Sequence, residues 1–581
     1  MSTKHFVNNA DELVVDALEA LTLTNPDLVY YKTDKIITRA SHDGSKTVSI
    51  VSGGGAGHEP AHAGYVGQGM LSGVASGWIF ASPSVAQIVH AGQIVAGTKG
   101  VLLVIKNYTG DIFHFMLAAE KLKSQGIDVA TVVVGDDVAV GRTKSGKVGR
   151  RGLAGTVLVH KAAGAMAAKQ SSTLPDVLAV SQAVAENLVT IGVSLNHVHI
   201  PGRKIETENL ISEQEVELGL GIHNEKGCLR LSPIPSLPEI VTQMLDQLLD
   251  PNDIDRGYVD FSSAGSVVLM VNNLGGLSPL ELSAITTEVV SQAVNHRHLN
   301  LVRLFSGTYM TSLDGPGFSI TFLRATSEIV ALLDEPTEAV GFLKGSVVDV
   351  GSLRSRVIAA LEADPQSTSV VKTKSVAKIF DPSAFIAAIT AGCYRVIAAE
   401  PRITEYDTVV GDGDCGYTLK RAAEAVLGFT ETSVAKSGTV ETFTKLAETV
   451  ENNMDGTSGA IYAIYLHALA VSASRLGPIM MDFSAWAQIA ADALQALYGA
   501  TPARPGDRTL VDALVPFVEA LVAGQSVQDA ALAASHGAEK TKGMTASLGR
   551  AVYVDATGYD RVPDPGAVGV AELVSGFAQV L

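Results

Sequence analysis

Thr47-Val-Ser-Ile-Val-Ser-Gly-Gly-Gly-Ala-Gly-His-Glu-Pro-Ala-His-Ala-Gly64 joins a β-branched run to a turn dense in glycine. Open α/β sheets place such turns at the carboxyl ends of their strands, so the stretch predicts a strand of an α/β layer. Its glycines expose backbone N–H groups to a small polar ligand, and the turn carries His58 and His62. Similar runs follow: Gly100-Val-Leu-Leu-Val-Ile105, Val129-Ala-Thr-Val-Val-Val134, Ser266-Val-Val-Leu-Met-Val271 and Phe318-Ser-Ile-Thr-Phe322. Alanine-rich helical stretches separate them, which predicts α/β layers from Lys46 to about Arg324. Lys106-Asn-Tyr-Thr-Gly-Asp111 sets an ionisable pair behind a second strand, and Leu218-Gly-Leu-Gly-Ile-His223 places another histidine behind glycines. A lone histidine is usually a satisfied structural residue. Several ionisable side chains behind glycine turns point to a site.

Glu362 to Ala377 is polar and lacks periodicity, so it reads as a linker. Beyond it the texture changes. Asp381-Pro382 has the cap and first-turn signature of a helix, and apolar residues then recur at three-and-four spacing, as in Ile461 to Ser474 and Trp486 to Leu497. Almost no strand signal remains, which predicts an all-helical bundle or barrel. Within it, Tyr406-Asp-Thr-Val-Val-Gly-Asp-Gly-Asp-Cys-Gly416 packs Asp407, Asp412 and Asp414 together with no Lys or Arg among them. Such carboxylates repel one another unless a hard cation holds them, and Mg2+ takes a few carboxylates plus water and phosphate oxygens. By itself Gly-Asp-Gly-Asp reads more readily as a solvated turn; Asp407, five residues before the turn, shifts the reading toward metal. Asp455-Gly-Thr-Ser-Gly459 opens a helical run whose N-terminus suits a phosphate, though it also reads as a well-capped helix start. Arg504-Pro-Gly-Asp-Arg-Thr-Leu510 and Val562-Pro-Asp-Pro-Gly-Ala567 are rigid turns, each displaying an Asp. No Walker A sequence and no strand-bound Gly-x-Gly-x-x-Gly fingerprint is present.

The chain has 581 residues, enough for two to four domains, with 60 acidic against 43 basic residues and a net charge of −17. That balance argues against a broad nucleic-acid-binding face. Three cysteines, Cys228, Cys393 and Cys415, argue for a reducing compartment. No signal peptide is recognisable, and no uninterrupted apolar stretch approaches membrane-spanning length. The expectation is a soluble cytoplasmic protein with no membrane partner.

Taken in order, Gly53-Gly-Gly-Ala-Gly-His-Glu-Pro-Ala-His62, Lys106 to Asp111, Gly149-Arg-Arg-Gly-Leu-Ala-Gly-Thr-Val-Leu-Val-His-Lys161, Gly219 to His223, Val410 to Gly416 and Asp455 to Gly459 resemble the single-chain ATP-dependent dihydroxyacetone kinases. The resemblance covers nearly the whole chain. It implies a substrate domain at 1–345 made of two α/β subdomains split near 190, a linker region at 346–380, and an ATP-binding helical barrel at 381–581. It also implies ATP and Mg2+, a small triose substrate and a homodimer whose active site is shared between subunits.

The same resemblance assigns roles. His223 captures the substrate carbonyl covalently, His58 and Asp111 move protons, and Gly53, Gly54, Gly55, Ala56, Lys106 and Asp111 bind the triose. Asp407, Asp412 and Asp414 hold Mg2+. Asp414, Cys415, Gly416, Tyr417, Thr457, Ser458, Gly459, Gly499, Thr509, Leu510, Asp564, Pro565 and Gly566 line the nucleotide pocket, with Cys415 packed beside the adenylate rather than acting as a nucleophile. Arg550 belongs to a further family motif without an assigned role. The chain departs from the family pattern at His114, where Asn is expected, at Tyr417, where many members carry Thr, and at Asp455, where many carry Gly. The implied reaction is phosphorylation of dihydroxyacetone, with D-glyceraldehyde as a second substrate. An additional FAD-AMP lyase activity forming cyclic FMN is the nearer alternative, and a triose sensor or a phosphocarrier-dependent transferase the more distant one.

Overall fold

Alternate residues of the strand Val101–Lys106 enter two different cores. Val101, Leu103 and Ile105 pack with helices Val85–Val95 and Thr109–Ser124; Leu102 and Val104 face helices Thr156–Ala167 and Leu174–Glu186. A strand covered on both faces must be apolar at nearly every position, so this run reads as continuous rather than alternating. The computed structural model describes residues 4–203, 211–263, 265–348, 382–433, 439–454, 456–476, 482–548 and 558–581. The chain divides into two compact units, Met1–Leu361 and Glu362–Leu581.

The first unit holds two sheets. One is ordered β1 (Leu28–Tyr31), β2 (Ile36–Arg39), β4 (Gly73–Ile79), β3 (Ser49–Ala56), β5 (Val101–Lys106) and β6 (Val129–Val134). Strands β4, β3, β5 and β6 are parallel, while β1 and β2 add an antiparallel edge. The chain passes from β3 to β4 on one side and then to β5 on the other. The order therefore reverses between β3 and β5, and the crevice at their carboxyl ends is where open sheets bind ligands. The second sheet runs β13 (Ser346–Val347), β11 (Leu301–Gly307), β10 (Val267–Asn273), β12 (Gly317–Arg324), β7 (Leu188–Ser194), β8 (Val216–Leu218) and β9 (Leu229–Leu231). Val268 and Met270 share a core with Leu102 and Val104, so one apolar layer lies between the sheets; Val267, Leu269 and Val271 face helices Leu237–Leu249 and Pro279–Ser291.

Two local expectations shift. Strand β3 continues through the glycines to Ala56, with Gly53 opposite Ala75 and Gly54 opposite Ser76, so the turn begins later than the composition suggested. Ser346 and Val347 pair with Leu304 and Arg303, so the second sheet reaches into the span read as linker. Residues 349–380 of that span, and the cap residue Asp381, lie outside the described residues.

Among its described residues the second unit has no strand and eight helices: Pro382–Val410, Cys415–Ser433, Thr439–Asn453, Gly456–Arg475, Phe483–Ala500, Val511–Val522, Val527–Lys540 and Pro565–Phe577. Each helix packs on the next in sequence, and the last packs on the first, so they close into a ring. An apolar cavity of about 740 Å3, walled by Phe385, Phe443, Tyr465, Leu466, Trp486 and Leu514, remains inside. The helix segment Ser383–Val410 is long and apolar enough to cross a membrane by length and composition, although Arg395, Glu400, Arg402, Glu405 and Asp407 interrupt its apolar run. In the ring, however, its Arg395 and Arg402 both pair with Glu572 of the closing helix.

Buried neutral histidines give the fold an acid-sensitive term. Burial, then the Arg39 charge, push His42 down to about 4. The folded chain thus binds fewer protons than the unfolded chain below the ordinary histidine value of about 6.5, and stability falls as pH drops from there toward 4, by up to about 1.4 kcal/mol per pH unit for the group. Urea unfolding of His42→Asn at pH 7 and pH 5 should show a smaller acid loss than the unsubstituted protein; equal losses would exclude His42 as a contributor.

Candidate functional site

At the carboxyl ends of β3 and β5 the structure gathers residues from four loops. Lys106 closes β5 and is almost fully buried, and Asp111 follows in the first turn of helix Thr109–Ser124. His58 comes from the turn after β3, and His223 from the loop between β8 and β9; their Nε2 atoms lie 3.0 Å apart. The chain between β11 and β12 sets this distance. Thr311 donates its N–H to the His58 carbonyl (3.2 Å), Leu313 donates to the Gly57 carbonyl (2.7 Å), and Ser312 Oγ donates to the Ile222 carbonyl (2.7 Å). One connection thus pins both histidine loops. The rings of Phe80 and Tyr108 stand edge-on to the His223 imidazole, with centroids at 5.2 and 4.6 Å, and confine it further.

Hydrogen-bond partners assign the protons. A carbonyl only accepts, so Thr311 O, 2.8 Å from His58 Nδ1, puts the His58 proton there and leaves a lone pair on Nε2. Glu225 fixes a proton on His223 Nδ1 in the same way at 2.8 Å, while its other oxygen accepts the His223 backbone N–H at 2.8 Å. Two Nε2 lone pairs then face each other, an arrangement that a shared proton turns attractive. Burial, Lys106 and His223 drive the His58 pKa well below its ordinary value, so a proton at His58 is readily given up. Burial pushes Glu225 up, but hydrogen bonds and charge from His223 outweigh it and hold the carboxyl at about 2. Burial raises Asp111 against the pull of Lys106, and Asp111 Oδ1 is buried without a hydrogen-bond partner. This is a dry site with an acid donor, a base and two nitrogens aimed at one point.

The helical unit supplies a second site through alternation. Short connections make neighbouring helices antiparallel, so the N-termini at Cys415, Gly456, Val511 and Pro565 share one end of the ring with the C-terminus of Pro382–Val410. Helix N-termini attract phosphate and C-termini attract cations. Asp407, Asp412 and Asp414 offer oxygens within 4.8 Å of one another, Asp407 buried and the other two exposed. That span suits an octahedral cation whose remaining positions go to water and phosphate. Gly413 has φ of +80°, and a side chain on Gly411 would collide with the Asp407 carboxylate, so both glycines are needed to bring the acids together.

At this same end Gly566 lies close to Asp564 and Leu510, and Thr509 borders them. Asp564 caps Pro565–Phe577 by accepting from the Ala567 N–H at 2.7 Å, and burial raises it to about 7. Burial and the neighbouring carboxylates Asp407, Asp564 and Asp414 push the Cys415 thiol up, so it stays protonated and packs rather than attacks. Gly416 is held against Glu400 and Thr404, and Gly459 against Met454; Thr457 and Tyr417 are exposed and Ser458 is half-buried. Gly499 lies in the last turn of Phe483–Ala500, where a side chain would meet nothing, so packing gives no reason for glycine there. Asp455 and Arg550 lie outside the described residues. His114 is held through Nδ1 by the Pro83 carbonyl at 2.8 Å.

Sequence reading missed several participants. Glu225 is the most important; an acid two residues beyond a histidine at a strand end was the available signal. Thr311 acts through its backbone and left none. Arg508 is buried, donates from Nη2 to the Val562 carbonyl at 2.9 Å and places Nη1 3.9 Å from Asp564 Oδ1, joining two turns that look independent in sequence.

The sequence matches the Dak1 domain over residues 19–341 and the DAK2 domain over residues 409–579. It is 44% identical over 606 residues to a dihydroxyacetone kinase of Pichia angusta, covering 100% of this chain and 98% of that one. It is 38% identical over 598 residues to a triokinase/FMN cyclase of Rattus norvegicus, covering 100% and 99%. Among solved structures, the C. freundii dihydroxyacetone kinase in complex with AMP-PNP and Mg2+ superposes with a TM-score of 0.62 at 29% identity, over 100% of both chains. A paired-histidine site on an α/β unit, an aspartate cluster on a helical ring and full-length identity at this level mean that the chain belongs to the dihydroxyacetone kinase family.

Proposed function

We propose that this protein transfers the γ-phosphoryl group of ATP to dihydroxyacetone while His223 holds the substrate as a hemiaminal. One observation carries the residue roles: His223 Nε2 lies 3.0 Å from His58 Nε2, with Glu225 behind Nδ1. His223 Nε2 adds to the carbonyl carbon, the carbonyl π pair moves to oxygen, and that oxygen takes a proton that His58 Nε2 has first accepted from water through its free lone pair. The imidazole gains positive charge in this step, and the Glu225 carboxylate at Nδ1 offsets it. Lys106 and the chain at Gly53, Gly54, Gly55 and Ala56 orient the captured triose. Asp111, with Oδ1 free of other partners, takes the proton of the attacking hydroxyl. D-Glyceraldehyde carries the same reactive carbonyl and is the second substrate; glycerol, lacking one, is not captured.

At the helical unit Asp407, Asp412 and Asp414 would hold Mg2+, which would offset negative charge on the transferring phosphoryl group. Thr457, Ser458 and Gly459 cradle phosphate at a helix start, and Cys415, Thr509, Asp564 and Gly566 border the rest of the nucleotide. A cytoplasmic homodimer is part of the same reading. A second reading, cleavage of FAD to cyclic FMN, is favoured by the rat relative's name, which joins triokinase with FMN cyclase. It uses the helical unit's acids and not His223.

His223→Ala should lose the triose adduct seen by mass spectrometry and lower kcat/KM by at least about 10²-fold; an intact adduct would reassign the nucleophile. Glu225→Gln keeps the attacking nitrogen but removes a charged partner, so kcat/KM should fall roughly 10- to 100-fold with the adduct still detectable. Asp407→Asn should abolish Mg2+-dependent turnover while leaving the adduct intact; retained turnover would place the metal elsewhere. Incubating the protein with FAD and Mn2+ in the absence of triose should give cyclic FMN equally from the unsubstituted protein and from His223→Ala. No product from either would remove the lyase reading.

A further inference from the structure

His62 shares the turn of His58 but takes no part in the carbonyl step. It is buried, its Nδ1 lies 3.0 Å from His160 Nε2, and the two rings meet edge to face at 71°. Its Nε2 is buried with no hydrogen-bond partner. A Cβ on Gly54 would sit 3.3 Å from that nitrogen and 3.5 Å from Lys106 Cε, so the glycine leaves a gap with the imidazole on one side and the lysine stem on the other. Burial and the Lys106 charge keep His62 neutral, and the same charge favours a lone pair rather than an N–H on the side facing it. With its single proton on Nδ1, directed at His160, the ring presents that lone pair at Nε2. An ammonium has three donors and no acceptor, so it needs such a partner to be held in one direction.

We propose that His62 is a positioning residue for Lys106: its Nε2, without a partner in this structure, accepts from the Lys106 ammonium across the gap that Gly54 leaves when the triose is bound, and so aims the ammonium at the triose. The role rests on the reading of Lys106 as a triose ligand. The acids whose charges reach Lys106 are Asp111, Glu225, Asp136 and Glu59, and the other imidazoles that feel its charge are His58 and His160. A neutral acceptor on the remaining side orients the ammonium without cancelling the charge that attracts hydroxyl oxygens. Such a charge-assisted bond is directional as well as strong.

The two side-chain amides separate this role from a core hydrogen bond. Glutamine places its terminal group near the Nε2 position and asparagine near Nδ1, so His62→Gln retains an acceptor toward Lys106 and His62→Asn retains the bond to His160. We expect the dihydroxyacetone KM of His62→Asn to rise on the order of tenfold and that of His62→Gln to stay within about threefold, with kcat and the ATP KM moving less in both. Equal effects, or the reverse order expected of a purely structural His62–His160 bond, would overturn the proposal. In the unsubstituted protein, nitrogen-15 spectra should show His62 as the Nδ1-protonated neutral tautomer; the Nε2-protonated form would overturn it whether or not the variants fold. An unsubstituted protein inactive on triose would instead undo the reading of the substrate.

Discussion

Two imidazole nitrogens held face to face in a water-poor crevice are the constraint around which the first unit is organised. Neither ring can move away, because the connection between β11 and β12 bonds to both histidine loops and the rings of Phe80 and Tyr108 limit His223. His58 cannot be comfortably charged, because burial penalises its ion. What remains is a proton whose position depends on whether a carbonyl is present. The central apolar layer shared by both sheets gives that arrangement its rigidity, since a shift of either sheet would alter the 3.0 Å separation directly.

The helical unit solves a different electrostatic problem. Phosphate groups carry dense negative charge and need many partial positive charges rather than one reactive nitrogen. Alternating helices offer them by geometry alone, four N-termini at one end, and the aspartates beside the first helix's C-terminus place carboxylate oxygens within 4.8 Å of one another there. The first unit works by placing a few reactive groups away from water and the second by gathering many partial charges at one end.

Much of this was readable from the residues. Glycine-flanked histidines, the Lys106 and Asp111 pair and the three aspartates are local in sequence, so composition and spacing expose them. The strands β3, β5, β6, β10 and β12 announce themselves through β-branched runs. Strand β4, Gly73-Val-Ala-Ser-Gly-Trp-Ile79, does not, because small residues chosen for close packing carry no strand signature. Thr311 and Arg508 were invisible for another reason. Their contributions exist only after distant segments meet, one through a carbonyl that every residue possesses and the other through a charge buried between two turns. Glu225 falls between these cases, adjacent in sequence to its histidine but meaningful only once the ring orientation is known.

Closure of the helical ring has a topological consequence. Because the last helix lies beside the first and runs antiparallel to it, Pro382 and Leu581 fall at the same end, opposite the aspartate cluster. The turn at Ala523 to Ser526 falls at that end as well. A circularly permuted ring opened there, with its original ends joined, keeps every helix beside its present neighbours and every nucleotide residue in place. Chain continuity across that turn is therefore not what holds the helices around the aspartate cluster together.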